Sequence, residues 1–265
     1  MAVGRGNRRA LKGKRLFLFD LDGVFYKGKE NRVRIGGTRA VEAIRRAGKS
    51  LFVLTNNSTD SVDTIHTRLA EFGIPVEKKE ILTSGLLTAE YLLSNHGRVT
   101  YFLIGEDGLD EELRRLGHRR THGERANFVV VGLDRGLTYE KLDHASRLAR
   151  NGASIIATHS ARLYMYMDGP AVATGPILKA LEYATRKRAV VIGKPSPRMF
   201  RMALARAGCE RKDAVMVGDQ VETDLAGAMR AGIDAVFVTT GLDAGPARMK
   251  VLATLGNVDD LESLL

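Results

Sequence analysis

The chain has 265 residues, 44% of them hydrophobic, and a formal charge of +10 from 41 basic and 31 acidic side chains. That length allows one large domain or two modest ones with a substantial core. No apolar run reaches the roughly 18 residues that span a bilayer, and the single cysteine, Cys209, excludes an intrachain disulfide. The lone thiol suits a reducing, cytoplasmic setting. The charge invites a polyanion, but the basic residues are scattered over helical stretches, zinc-finger spacing is missing and aromatics are only 6%. A basic surface that attracts small anions is therefore expected, rather than nucleic acid as the main ligand.

The N-terminal "MAVGRGNRRALKGKR" carries six basic residues and no acid. It lacks the apolar segment of a signal peptide and reads as a short disordered basic tail. "RLFLFD" then reads as a buried strand, followed by the helix "TRAVEAIRRAG", the strand "SLFVLTNN" and the helix "SVDTIHTRLAEFG". The middle repeats this grammar on its own. "VTYFLIG", "NFVVVGL" and "ASIIATH" read as strands, and "GLDEELRRLG" and "YEKLDHASRLARNG" as helices. After it come "RAVVIGK", "PRMFRMALARAG", "DAVMVGD", "TDLAGAMRAG" and "AVFVTTG". Helices end at glycine, as C-caps do. Short continuous apolar strands alternating with helices predict an α/β protein with a doubly wound parallel sheet. Residues 1–84 and 184–265 are expected to form this Rossmann-like core, with 85–183 as an inserted second α/β domain.

Each apolar run of the outer segments ends in residues unsuited to a core. "LFLF" leads to Asp20 and Asp22, "LFVL" to Thr55, Asn56 and Asn57, "VVIG" to Lys194, and "VMVG" to Asp219 with Asp224 beyond. Asp, Asn and Gly are common turn residues, so any one cluster is explained as a turn. Together they predict a crevice, because ligands of open parallel sheets bind outside the carboxyl ends of the strands. Clustered carboxylates repel one another and need a cation, and hard oxygen ligands without histidine or cysteine select Mg²⁺. Lys194, Thr55 and Asn56 supply a positive charge, a hydroxyl and an amide for phosphate oxygens. That inventory describes phosphoryl transfer. One carboxylate of an Asp-x-Asp pair would attack, and the other would move the proton.

The motifs "DLDG" (Asp20–Gly23), "LTNN" (Leu54–Asn57), "GKPSP" (Gly193–Pro197) and "GDQVETD" (Gly218–Asp224) resemble, in order, those of the haloacid dehalogenase (HAD) superfamily. The long insertion between the second and third motifs is similar to that of the NagD-like phosphatases, which carry a large α/β cap. The resemblance implies a Mg²⁺-dependent phosphatase of small phosphorylated metabolites. In it Asp20 is nucleophile and metal ligand, and Asp22 is general acid/base and a ligand through its backbone carbonyl. Thr55 and Asn56 hold the phosphoryl group, Lys194 neutralises it and orients Asp20, and Asp219 completes the metal site. Asp224, Gly23 and Asn57 support these residues. The resemblance also implies dimer contacts through the cap. A phosphotransferase on the same scaffold and a non-catalytic phosphate-ligand binder are the rival readings.

One stretch departs from that group. Where a Pro-Gly-Ala-Gly turn is usual, this chain reads "SARLYMYMDGPAVATGPIL" at 160–178. The apolar Tyr164-Met165-Tyr166-Met167 either packs the domain interface or faces the leaving group, where it would favour an apolar or flat ester. His159 and Arg162 are candidate contacts for an anionic leaving group.

Overall fold

The computed structural model describes residues 5–28, 32–166 and 169–265. In chain order its elements are α1 (Arg5–Lys12), β1 (Leu16–Phe19), β2 (Tyr26–Lys27), β3 (Val33–Arg34), α2 (Thr38–Arg46), β4 (Ser50–Thr55), α3 (Val62–Glu71), β5 (Ile81–Thr83) and α4 (Ser84–His96). There follow β6 (Thr100–Ile104), α5 (Asp107–Arg115), β7 (Arg119–Arg120), β8 (Phe128–Val131), α6 (Tyr139–Arg150), β9 (Ser154–Ala157), β10 (Leu163–Tyr166), β11 (Gly169–Val172) and α7 (Thr174–Thr185). The chain closes with β12 (Val190–Val191), α8 (Pro197–Ala207), β13 (Ala214–Gly218), α9 (Ala226–Ala231), β14 (Asp234–Val238) and β15 (Ala253–Leu255).

Two parallel sheets organise the molecule. The first has the order β15-β14-β13-β1-β4-β5 and the second β12-β9-β8-β6-β7. In the first, β1 is central, and every residue of its Leu-Phe-Leu-Phe run is buried, as a strand covered on both faces requires. The chain winds outward from β1 through β4 to β5, then returns to build β13, β14 and β15 on the other side. The reversal puts a topological switch point between β1 and β13. This is the doubly wound α/β architecture expected from the sequence.

The second sheet alternates by residue, as the pleat demands. Tyr101, Leu103, Val130 and Ile156 join the main core, which continues through α4 and α5 into the first sheet. Phe102, Ile104, Val129, Val131 and Ile155 face the other way and pack a separate cluster with α6 and α7. The second sheet is thus fastened to the first by shared core.

Two expectations need correction. "RAVVIGK" was read as a strand of the outer core, but β12 pairs in parallel with β9, Val190 opposite Ile156 and Val191 opposite Ala157. The second sheet therefore runs past residue 184, and the chain rejoins the first sheet only at β13. The basic N-terminus was read as disordered, yet Arg5–Lys12 is helical. A single apolar residue decides this: Leu11 is fully buried in the main core. Arg8 Nη2 also donates to the Ser263 carbonyl at 2.6 Å. Among the described residues, no helix is long and apolar enough to cross a membrane.

Candidate active site

Asp20 follows β1 directly, and its backbone N–H still donates to the Val217 carbonyl of β13, 2.9 Å away. The ladder thus delivers its side chain at the sheet's carboxyl edge. Oδ1 accepts from the Leu21 backbone N–H at 2.7 Å and forms an ion pair with Lys194 Nζ, also at 2.7 Å. Lys194 is fully buried and also meets Asp224 Oδ1 at 2.7 Å. Burial disfavours the ammonium, but the two carboxylates outweigh it and raise its pKa. Asp224 in turn accepts from the Gln220 N–H at 3.1 Å. Its pKa is pushed up to about 7, first by burial, then by Asp20, with Lys194 opposing both.

Asp219 stands at the end of β13. Its Oδ2 accepts from the Leu242 N–H at 2.8 Å, whereas Oδ1 is buried without a hydrogen-bond partner. Burial and the charges of Asp20 and Asp224 drive its pKa well above the ordinary carboxylate range. Oxygens of Asp20, Asp219 and Asp224 lie within 4.8 Å of one another. The backbone closes tightly on Asp219. A Cβ on Gly241 would sit 1.7 Å from its Oδ2, and one on Gly23, where φ is +82°, would sit 2.5 Å away. Crowded carboxylates, two of them with a buried oxygen that has no hydrogen-bond partner, and an all-oxygen donor set fit a hard divalent cation.

Thr55 ends β4, buried, and its hydroxyl oxygen accepts from the Asn57 N–H at 3.0 Å, leaving the O–H proton to donate. Asn56, expected to bind phosphate through its amide, uses Nδ2 otherwise: it donates to the Lys194 carbonyl at 2.9 Å. That bond tethers the Lys194 loop to the end of β4. Asn57 shapes the following turn, its Oδ1 accepting from the backbone of Thr59 and Asp60.

A cleft of about 450 Å³ joins these residues to the second sheet. Asp20, Asp22, Gly23, Thr55, Asn56, Lys194 and Asp219 line one side, and Leu133, His159, Leu163, Tyr164 and Ala173 the other. Asp22 is half-buried there. The antiparallel hairpin β10–β11 brings Leu163 and Tyr164 to the cleft. The side chains of Met165 and Tyr166 and all of Met167 lie outside the described residues.

The two candidate contacts for an anionic leaving group are engaged elsewhere. His159 is buried, its Nδ1 accepting from the Ala161 N–H at 3.3 Å and its Nε2 lying 3.0 Å from Thr174 Oγ1. Burial and the Lys194 charge lower its pKa to about 4, so the imidazole is neutral. Arg162 is exposed and pairs with Glu222 at 2.6 Å. Sequence reasoning missed Lys27, Arg32 and Gln220 in the cleft lining, and the 239–242 turn behind Asp219. Gln220 sits inside the "GDQVETD" motif but was passed over for its acids, whereas Lys27 and Arg32 belong to no motif and reach the site through the paired strands β2 and β3.

Residues 17–119 match the haloacid dehalogenase-like hydrolase family, and residues 191–263 match the family described as HAD-hydrolase-like. An acid sugar phosphatase of Staphylococcus saprophyticus is 33% identical over 88% of this chain and 89% of its own length. A crystal structure of a 4-nitrophenylphosphatase from Thermotoga maritima superposes with a TM-score of 0.87 at 31% identity, covering 96% of this chain and 98% of that one. A p-nitrophenyl phosphatase from Archaeoglobus fulgidus superposes with a TM-score of 0.86 at 32% identity, covering 95% and 99%. The chain belongs to the haloacid dehalogenase-like hydrolases, among the NagD-like phosphatases with an α/β cap. The second sheet with α6, α7 and the β10–β11 hairpin is that cap.

Proposed function

We propose that this protein is a Mg²⁺-dependent phosphatase that hydrolyses small-molecule phosphate monoesters through an aspartyl-phosphate. The observation that carries the proposal is the Asp20 carboxylate, held by Leu21 and Lys194 at the carboxyl end of β1, beside the unpartnered oxygen of Asp219. With Oδ1 held by the Leu21 N–H and paired with the Lys194 charge, Oδ2 is the oxygen for attack on phosphorus. A bond forms from Asp20 Oδ2 to phosphorus as the bond from phosphorus to the alcohol oxygen breaks. Asp22 delivers its proton to that departing oxygen. The carboxylate so formed then takes a proton from water, and the resulting hydroxide displaces Asp20 and releases phosphate. The Lys194 charge and the Thr55 hydroxyl hold the phosphoryl oxygens throughout.

Asp20, Asp219 and the Asp22 backbone carbonyl would hold the cation. When bound it offsets the charge of the phosphate and of the clustered carboxylates. The cleft volume suits a metabolite rather than a polymer. Its mixed wall of Leu133, Leu163 and Tyr164 beside polar groups is compatible with sugar phosphates and aryl phosphates, the substrates named for the relatives. Asp20→Asn tests the mechanism. Its turnover of p-nitrophenyl phosphate and hexose phosphates is expected to fall by about 10⁴-fold or more, the scale of losing a covalent nucleophile. Near-normal turnover with an intact circular dichroism spectrum would sink it.

A further inference from the structure

Arg32 is placed as a ligand-reading residue by three features of its surroundings. Its side chain is only 18% exposed and lines the cleft that holds Asp20 and Thr55. Its Nε is buried without a hydrogen-bond partner. Its one ion pair among the described residues, Nη2 to Asp60 Oδ2, is 3.3 Å long, at the weak end for a charged pair.

Asp60 is already committed. Arg68 Nη1 donates to the same Oδ2 at 2.9 Å and Asn57 Nδ2 at 3.0 Å. Burial works against the Asp60 charge, but the Arg68 hydrogen bond and charge hold its pKa down. Two guanidiniums therefore share one carboxylate, and Arg32 is the worse served. Both guanidiniums also stand over the Tyr26 ring, 5.8 Å from its centroid. Lys27, on the strand paired with β3, lines the same cleft and adds a second positive charge. A partly desolvated guanidinium with an orphaned N–H gains most from a bidentate anion.

We propose that Arg32 recognises a second anionic group on the alcohol part of the substrate, a carboxylate or a second phosphate. This rests on the phosphatase reading above. The preferred substrates are then phosphate monoesters carrying another negative charge a few bonds from the scissile phosphate.

The test compares matched esters, with p-nitrophenyl phosphate reporting whether the enzyme hydrolyses phosphate esters at all. The carboxylate arm is 3-phosphoglycerate against glycerol 3-phosphate, and the phosphate arm is a hexose 1,6-bisphosphate against the hexose 6-phosphate. In at least one arm the wild type is expected to prefer the doubly charged ester by tenfold or more in kcat/KM. Arg32→Ala is expected to cut that preference by about 10- to 100-fold, mainly through KM, the scale of one lost charge-assisted hydrogen bond. Arg32→Lys should retain part of it. Equal losses on charged and neutral esters would overturn the assignment. So would a wild type without preference in either arm, a result that stands even if Arg32→Ala does not fold. Failure to hydrolyse every ester, p-nitrophenyl phosphate included, would instead bring down the phosphatase reading itself.

Discussion

At the scale of single residues, a side chain's type names its chemistry, but its surroundings decide whether that chemistry is available. The convergence of Asp20, Lys194 and Asp219 was legible because acids and a lysine recur after one apolar strand after another, and parallel strands bring such ends to one edge. His159 had the same standing in the sequence, yet both ring nitrogens are engaged inside the protein. Nothing in "ATHS" foretells that Thr174, 15 positions on, faces it. Burial makes the neutral form part of the fold. The folded pKa is about 4 against an ordinary 6.5, so the unfolded chain takes up a proton first as acid is added. Stability from this residue is complete above about pH 6.5 and is lost as pH falls towards 4, by up to about 3 kcal/mol at roughly 1.4 kcal/mol per pKa unit. His159→Gln preserves hydrogen bonding without the titration. Urea unfolding at pH 7 and at pH 4.5 should show the wild type losing more stability than the variant. Equal losses would mean that His159 does not titrate as its burial requires.

At the scale of elements, the sequence showed that strands exist but not which sheet each one joins. "AVVIG" is as apolar as "VMVG", and periodicity cannot tell a two-residue strand pairing with β9 from one extending the first sheet. Lys194 thus reaches Asp20 from the cap side. Ile192 N–H donates to Ala157 O at 3.1 Å and Gly193 N–H to Thr158 O at 2.6 Å, so the second sheet sets where the lysine sits. Asn56 completes the tether from the first sheet. Gly193 is the pinch point: an added Cβ would lie 2.5 Å from both Asn56 Oδ1 and the Thr158 carbonyl oxygen. Gly193→Ala must push the two loops apart and carry Lys194 with them. A shift near 1 Å in a catalytic group costs about 100-fold in rate. The expected phenotype is a kcat lowered on that scale with a cooperative thermal transition retained. A kcat within threefold of wild type would show that the loops absorb the methyl group without moving Lys194.

At the scale of the whole molecule, net charge and local charge oppose each other. A chain of +10 draws anions from all sides, yet its cleft converges on buried carboxylates. The doubly wound topology and the inserted α/β unit were legible from the alternation of strand and helix. The continuity of the main core into the second sheet was not, because Leu86, Tyr101 and Ile156 read the same whichever layer they face. That continuity couples the site to global stability. Asp20, Asp219 and Asp224 crowd together, Lys194 pairs with two of them, and among the described residues Asp219 Oδ1 has no donor. Folding without a cation must bear that repulsion and desolvation. A divalent ion that binds only the folded state adds about 2.7 kcal/mol at a concentration of 100 times its Kd. In a chain of this size that is a rise of several degrees in Tm, at about 2–4 °C per kcal/mol. Thermal unfolding in EDTA and then in millimolar Mg²⁺ should show that rise, and p-nitrophenyl phosphate hydrolysis should vanish and return with it. Asp219→Asn should abolish the Mg²⁺-dependent rise, because the ion then loses a charged ligand. A Tm indifferent to Mg²⁺, together with turnover that survives EDTA, would leave the carboxylate cluster without the cation on which this reading depends.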